Sequence, residues 1–278
     1  VLLAGEFTVM ARALEWEATL LGYQDLGGVE LLMFETPTLS PEQQRAIHRL
    51  SAVQALFAVD DDRLIPMNTL STRYFPSDIA GILKYSGKTN EQFTSFMINL
   101  AIFSSAFATQ WEEPLHLLDP MAGRGTTLFS GLIHGYHVSG LEIRKQERHE
   151  FKIFLERYLR FHGCKYSASE QKIRGAGRAL GVRSDWETAD SVDHFKQGDR
   201  RMVSFGTGDT LGGNHFYKKQ TFHVLVTDLP YGVQHKSRQG AGRAPLIALL
   251  EQAAPVWRKL LKRGGALDLT VAMPLLSC

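Results

Sequence analysis

"LLDPMAGRGTTL", residues 117–128, decides the fold of this 278-residue chain. An apolar run ends in Asp119-Pro120, Gly123 and Gly125 follow two residues apart, and Thr126-Thr127 open a second apolar run. Glycine lets the backbone approach a ligand closely and tolerates left-handed dihedrals. A strand that ends in a carboxylate, turns through glycines and continues as a helix is a ligand-holding turn. A phosphate and an adenosine-bearing cofactor without a phosphate both answer the question of what it holds.

Elements on either side repeat the strand–helix alternation. "TNEQFTSFMINLAIFSSAFA" (89–108) predicts a helix with Phe93, Phe96, Met97, Leu100 and Ala101 on its buried side. "LHLLDP" (115–120) predicts a strand, "TTLFSGLIHGY" (126–136) a helix, "HVSGLEI" (137–143) a strand and "KQERHEFKIFLERYLRFHG" (145–163) an amphipathic basic helix. A polar stretch runs to about residue 200. "RMVSFGTGDT" (201–210), "FHVLVTDLPYG" (222–232) and "GGALDLTVAM" (264–273) each predict a strand, with a helix over 245–265 between the last two. This order predicts a doubly wound, mostly parallel α/β sheet, with ligands at the carboxyl ends of its strands.

Upstream, residues 1–75 read as a small α/β domain and 76–278 as the main one, with a basic insertion around 144–200. "EFTVMARALEWEATLLGY" (6–23) predicts a short extended start and then a helix carrying Leu14, Ala18 and Leu21. "VELLMFET" (29–36) is strand-like. "SPEQQRAIHRLSAVQALFAV" (40–59) predicts a helix with Ser40 as N-cap, Pro41 in its first position and Ile47, Leu50, Val53 and Leu56 on one face.

Composition narrows the function classes. The chain is 44% apolar and 22% charged, enough for a sizeable core, and its only cysteines are Cys164 and Cys278. That usage argues against a disulfide framework and, with no signal-like start, predicts a cytoplasmic protein. No apolar run reaches the length of a membrane span. Net charge is +2, but residues 144–183 carry a balance of +7 against −5 elsewhere. Such a segment is either a solvated face or a phosphate-backbone contact, for which Lys172, Arg174, Arg178 and Arg183 are the candidates. "SRQGAGR" (237–243) reads as a mobile loop that either closes over substrate, with Arg238 or Arg243 meeting a phosphate, or is simply disordered.

Four features fall at the predicted carboxyl ends. The first is the turn Asp119, Pro120, Met121, Ala122, Gly123, Gly125, Thr126 and Thr127. The second is Glu142, at the end of the next strand, where an acid can accept from both hydroxyls of a ribose. Asp209, with Thr210, follows the third strand and can accept from an adenine amino group. The fourth is Asp228-Leu229-Pro230-Tyr231.

Asp119-x-x-x-Gly-x-Gly followed by Asp-x-Pro-Tyr resembles the S-adenosylmethionine-dependent methyltransferases that act on amino groups, whose second motif is Asp/Asn-Pro-Pro-Tyr/Phe/Trp. "TDLPYG" is similar to the THUMP-associated RNA guanine-N2 methyltransferases. "YSGKTNEQFTSFMINLA" (85–101) before "LLDPMAGRGTTL" resembles the tRNA guanosine-10 N2-methyltransferase family, and most of all its bacterial relatives. The match covers about residues 74–271, and about 75 residues upstream leave no room for both a ferredoxin-like and a THUMP module. The resemblance implies a Rossmann-like class I methyltransferase fold, S-adenosylmethionine as cofactor and RNA (tRNA or rRNA) as partner. It also implies a guanine amino group as target and Thr89 near the methionine end of the cofactor. Asp228, Leu229, Pro230 and Tyr231 become the catalytic residues. A DNA adenine or cytosine amino-methyltransferase and a catalytically silent RNA-binding module are the alternatives.

Other motifs carry less. Gly87-Lys88-Thr89 lacks the first glycine of a phosphate-binding loop, since Ile82 stands there. Gly175-Ala176-Gly177 lacks a third glycine and predicts a loop. His134 and His137 have no companions at zinc spacing, and no metal is expected.

Overall fold

The computed structural model describes residues 2–61, 63–68, 70–82, 88–229 and 243–271, with backbone only at 243–245 and 271. In chain order the elements are α1 (Leu2–Ala13), β1 (Thr19–Leu26), β2 (Val29–Glu35), α2 (Pro41–Arg49), β3 (Phe57–Asp60), β4 (Arg63–Pro66), α3 (Asp78–Gly81) and α4 (Glu91–Phe103). Then come β5 (His116–Asp119), α5 (Thr126–Ile133), β6 (His137–Glu142), α6 (Lys145–Phe161), β7 (Tyr166–Gly175), β8 (Arg178–Thr188), α7 (Val192–Gln197) and β9 (Arg201–Thr207). The chain closes with α8 (Gly213–Phe216), β10 (Phe222–Leu229), α9 (Arg243–Leu260) and β11 (Leu261–Val271).

Seven strands form one sheet in the order β11-β10-β5-β6-β9-β8-β7. The first five are parallel to one another, and β8 and β7 extend the sheet antiparallel beyond β9. Numbered among themselves, the parallel strands run 3-2-1-4-5, so the order reverses at β5, the strand that carries Asp119. Alternation along each strand feeds two apolar layers. Leu117, Val138, Val203, Phe205, Val224 and Val226 face the larger layer, with α1, α2, α4, α5 and α6. Leu118, Leu141 and Leu225 face the other, which contains Phe216, Tyr217, Trp257 and Leu260. Burial on both faces explains why β10 reads as a nearly continuous apolar run.

The upstream segment departs from its sequence reading. Residues 2–13 are helical rather than extended, and Leu21 lies in β1 instead of on a helix. Glu15 at φ +50 ends the helix, Trp16 packs on Phe7 and Phe34, and β1 pairs antiparallel with β2. The helix expected over 40–59 stops at Arg49. Its capping box between Ser40 and Gln43 forms, but Leu50 turns extended and the Ser51 amide donates to the Glu6 carboxylate at 3.0 Å. Residues 57–60 are then free to form β3. Likewise, the helix expected to reach Gly265 ends at Leu260, because Leu261 already pairs with Phe222 in the sheet.

The polar stretch after α6 is the largest departure. It forms the β7–β8 hairpin, whose two-residue turn places Ala176 at φ +47 and Gly177 at φ +75. Positive φ at both central residues marks the type I′ turn, whose twist matches its strands. The strands escape a periodicity reading because polar residues occupy both of their faces.

Candidate active site

β5 delivers Asp119 to the carboxyl edge of the sheet with 3% exposure. Its Oδ1 accepts from the Met121 amide at 3.0 Å, which folds the turn back on the strand end. Gly123 (φ +52) and Gly125 (φ +86) carry the chain through left-handed conformations. At Gly125 a Cβ would stand 2.4 Å from the Phe151 ring, whereas at Gly123 it would meet no heavy atom within 4 Å. The first glycine therefore faces open space and the second seats α5 on α6. Thr126 and Thr127 are buried at the start of α5.

Glu142, at the end of β6, clasps this turn. Its Oε2 accepts from the Gly123 amide at 3.0 Å and its Oε1 from the Arg144 amide at 2.9 Å. Arg144 also reaches Glu142 through Nε at 3.3 Å and Glu147 through Nη1 at 3.3 Å. Glu147 in turn accepts from Arg124 Nε at 2.7 Å. Each carboxylate oxygen has two lone-pair sites, so with Oε1 accepting twice from Arg144, Glu142 keeps one site, on Oε2, for a further donor. Beside it Ile143 is 58% exposed, an apolar side chain held out at the edge.

Past β9, the Gly208 amide donates to the Glu142 carbonyl at 2.9 Å and brings Asp209 alongside. The Asp209 side chain is exposed and caps a short turn by accepting from the Leu211 amide at 2.9 Å. Thr210 turns inward, where its hydroxyl accepts from Trp257 Nε1 at 2.9 Å. Pro120, Leu141, Thr210, Tyr217 and Trp257 close together beneath these turns without leaving room for a water molecule. An exposed carboxylate beside an exposed aliphatic side chain suits a planar base bearing an amino group.

β10 runs beside β5 in parallel register, with Leu225 opposite Leu118, so its end reaches the same edge. There Asp228 accepts a hydrogen bond from the Thr89 hydroxyl, and its Oδ1 is buried without a partner among the described residues. Burial raises its carboxyl above the usual range. Burial also pushes Asp119 up to about 6, with the nearby charge of Asp228 contributing in the same direction. Two carboxylates that feel each other are at one end of the sheet. Leu229 is buried. Pro230, Tyr231 and Arg238 lie outside the described residues, as does the side chain of Arg243.

Thr89 reaches Asp228 because Asn90 caps α4, its side chain accepting from the amides of Gln92 and Phe93 at 2.9 and 3.1 Å. Lys88 donates to the Ala80 carbonyl at 2.6 Å and to Glu91. Neither the Thr89–Asp228 contact nor the Arg124–Glu147–Arg144 chain has a sequence signature. Ile143 did have one: an apolar residue directly after the carboxylate of a strand end.

Among the basic residues, Lys172, Arg174 and Arg178 are exposed on the hairpin. Arg183 is committed internally: it pairs with Asp185 at 3.0 Å and donates to the Phe216 carbonyl. His134 is partly buried, and His137 accepts from the Met202 amide at 2.9 Å. The described residues hold no cluster of ligand side chains suited to a metal and no helix long and apolar enough to cross a membrane.

The strand order with its turns at the carboxyl edge defines a doubly wound, Rossmann-like α/β fold. Among solved structures, the chain is similar to TrmN from Thermus thermophilus, with 16% identity over 87% of this chain and 60% of that one and a TM-score of 0.40. It is also similar to the rRNA methyltransferase aviRa from Streptomyces viridochromogenes, with 14% identity over 72% of this chain and 84% of that one and a TM-score of 0.42. PH0851 shares 11% identity over 58% of this chain and 30% of that one, with a TM-score of 0.36. The chain thus spans less than two thirds of the length of PH0851 and of TrmN. No family model and no curated protein matches the sequence.

Proposed function

We propose that this chain transfers a methyl group from S-adenosylmethionine to an exocyclic amino nitrogen of a nucleobase in RNA, with guanine N2 as the target. The observation that carries the reading is the pair of neighbouring strand ends, with Asp119 and its glycine turn beside an Asp228 whose Oδ1 lacks a partner among the described residues. Residues 1–75 serve as an accessory domain, and residues 76–278 carry the chemistry.

The residues present fit the cofactor. The open space at Gly123 and the carboxylate of Asp119 would take its methionine end, Glu142 its ribose, and the exposed Asp209 and Ile143 its adenine. When bound, the group supplies a sulfonium methyl electrophile. An aromatic amine is a weak nucleophile because its lone pair is delocalised into the ring. Asp228 and the Leu229 carbonyl accept its two N–H groups and turn the lone pair towards the donor, a contribution made mainly by positioning. As the N–C bond formed and the methyl–sulfur bond broke to release S-adenosylhomocysteine, the nitrogen would become cationic and the Asp228 carboxylate would offset that charge before the proton left to solvent. Thr89 fixes the carboxylate through its second oxygen. The target base leaves its helix or loop stack to enter the site; Pro230 and Tyr231, whose catalytic roles come from the sequence resemblance, lie outside the described residues.

The deciding experiment combines calorimetry with S-adenosylhomocysteine and labelled-methyl transfer to RNA and DNA stem-loops that contain guanosine or inosine. Transfer to guanosine RNA and none to inosine RNA, which lacks the amino group, is expected. Transfer to DNA adenine or cytosine would assign the chain to DNA. RNA binding with no heat from the product and no transfer would make it a silent binding module.

A further inference from the structure

We propose that the β7–β8 hairpin is a substrate arm whose tip holds the phosphates flanking the target nucleotide. Arg183, by contrast, is a positioning residue that fastens this arm to the donor pocket. The inference rests on the RNA-methylation reading above and adds where the polymer lies.

The register gives the geometry. Val182 on β8 pairs with Thr207, the last residue of β9, and so residues 178–181 and their partners on β7 project past the carboxyl edge. Four residues in a strand span about 13 Å, roughly two nucleotide steps along a backbone. The overhang is on the edge where Asp119, Glu142, Asp209 and Asp228 converge. Its outer strand, β7, ends the sheet.

Each face of the arm is distinct. Ile173, Gly175 and Gly181 turn towards α8, where a Cβ at Gly175 would approach His215 within 3.2 Å and one at Gly181 would overlap the Thr207 carbonyl. Lys172 and Arg174 alternate onto the opposite face, shared with Glu170, which meets Arg148 of α6 at 2.9 Å. Lys172, Arg174 and Arg178 form no ion pair among the described residues, while Arg148, Lys152 and Arg183 around the base of the hairpin are all paired. Three exposed cations along the end of the hairpin, without carboxylate partners among the described residues, suit a polyanion. An acidic protein surface fits less well, because the tip adds only Leu180 as a sizeable apolar contact.

Arg183 does different work. Its guanidinium pairs with Asp185, donates to the Phe216 carbonyl and stands 5.8 Å from the Tyr217 ring. Tyr217 is buried and donates to the Gly140 carbonyl at 2.6 Å, two residues before Glu142 on β6. Arg183 therefore holds the arm and, through Tyr217, the strand that carries Glu142.

The test compares the full chain with the triple variant Lys172→Gln/Arg174→Gln/Arg178→Gln, and with Arg183→Gln and Arg183→Lys. A synthetic RNA stem-loop is titrated at several salt concentrations, and S-adenosylhomocysteine is titrated by calorimetry. In the triple variant, the slope of log affinity against log salt falls by about 2 and product affinity is unchanged. In both Arg183 variants the RNA slope holds and product affinity falls severalfold, since lysine keeps the charge but loses the two-pronged geometry. An unchanged RNA slope in the triple variant overturns the arm even if the product binds and the methylation reading stands. A slope lost in the triple variant, with no product heat in the parent, supports the arm and removes the methylation reading. Full rescue by Arg183→Lys, with a reduced slope in Arg183→Gln, would make Arg183 a phosphate contact and overturn its positioning role.

Discussion

The Thr89 hydroxyl donates to the Asp228 carboxylate across 139 residues of sequence, joining the N-terminus of α4 to the end of β10. One oxygen of Asp228 is thereby fixed, and the other is left buried without a partner among the described residues. A carboxylate with one satisfied and one vacant oxygen is held ready for an incoming donor, since an unmet buried acceptor costs about 1–3 kcal/mol.

Asp228→Asn should therefore cut methyl transfer by about 100- to 1,000-fold, and Asp228→Ala at least as much. The affinity for S-adenosylhomocysteine should stay within a few-fold in both. Thr89→Val keeps the shape but frees the carboxylate to rotate, and its effect should appear in turnover more than in cofactor affinity. Loss of product binding in Asp228→Ala would place that residue in the donor pocket instead.

The two glycines of the turn should separate in their response to alanine. Gly123→Ala faces only the left-handed backbone cost of about 1–2 kcal/mol, because its Cβ enters open space. Gly125→Ala meets the same cost plus the Phe151 ring at 2.4 Å, so its urea midpoint should fall further. In the open direction the order reverses for ligand: Gly123→Ala should lose more product affinity per kcal/mol of stability lost. Equal effects at both positions would mean that the space at Gly123 is not where the cofactor lies.

Asp119 sets a pH signature. Its folded-state value of about 6 lies above that of an unfolded aspartate, so the fold is favoured by its neutral form below about pH 4. That advantage is lost as pH rises through 6, where the buried charge opposes folding. Asp119→Asn should hence be nearly neutral at pH 4 and stabilising by about 2–3 kcal/mol at pH 8. Urea unfolding at the two pH values reads the difference. The asparagine should bind S-adenosylmethionine more weakly at pH 8, because the carboxylate no longer faces its cationic end.

At the opposite end of the sheet, histidines produce the reverse trend. His116, His137 and His223 lie at the starts of β5, β6 and β10, with ring centroids 4.4 Å apart for the first pair. Burial lowers His137 and His223 to about 4, helped by the neighbouring rings and by Lys262 beside His223. Their folded values lie below that of unfolded histidine, so the stability they permit is full above about pH 6.5 and is lost as pH falls towards 4. Net stability should rise between pH 4 and 6.5, and more steeply in Asp119→Asn, where the opposing carboxyl is gone. A flat profile in that variant would mean that the histidines are not held neutral.

What the sequence discloses follows from locality. The motifs at 119–127, 142, 209 and 228 are each a strand end followed by a turn, and such units are written in contiguous residues. Parallel order and a shared edge follow from the alternation. The β7–β8 hairpin escapes a periodicity reading because its buried apolar anchors, Ile173 towards α8 and Trp186 against Phe151 of α6, stand far apart in mostly polar strands. Arg183 looks like its basic neighbours in sequence, and only the fold brings Asp185 and Phe216 to it. Glu6 carries no motif at all.

Glu6 nevertheless joins the first helix to the rest of the molecule. It is fully buried, accepting from the Ser51 amide at 3.0 Å, the Ser51 hydroxyl at 2.7 Å and Asn99 Nδ2 of α4 at 2.7 Å, and burial raises its carboxyl above the usual range. Phe7 and Met10 of α1 share one apolar cluster with Met97 and Ile98 of α4. Removing the acceptor strands three donors in that cluster. Glu6→Ala should therefore cost about 3 kcal/mol, with Glu6→Gln milder because it keeps one carbonyl oxygen. Calorimetry should show a single transition moving to lower temperature in both variants. If an early transition splits off and the main one stays in place, residues 1–75 unfold separately and Glu6 only holds them to the larger domain.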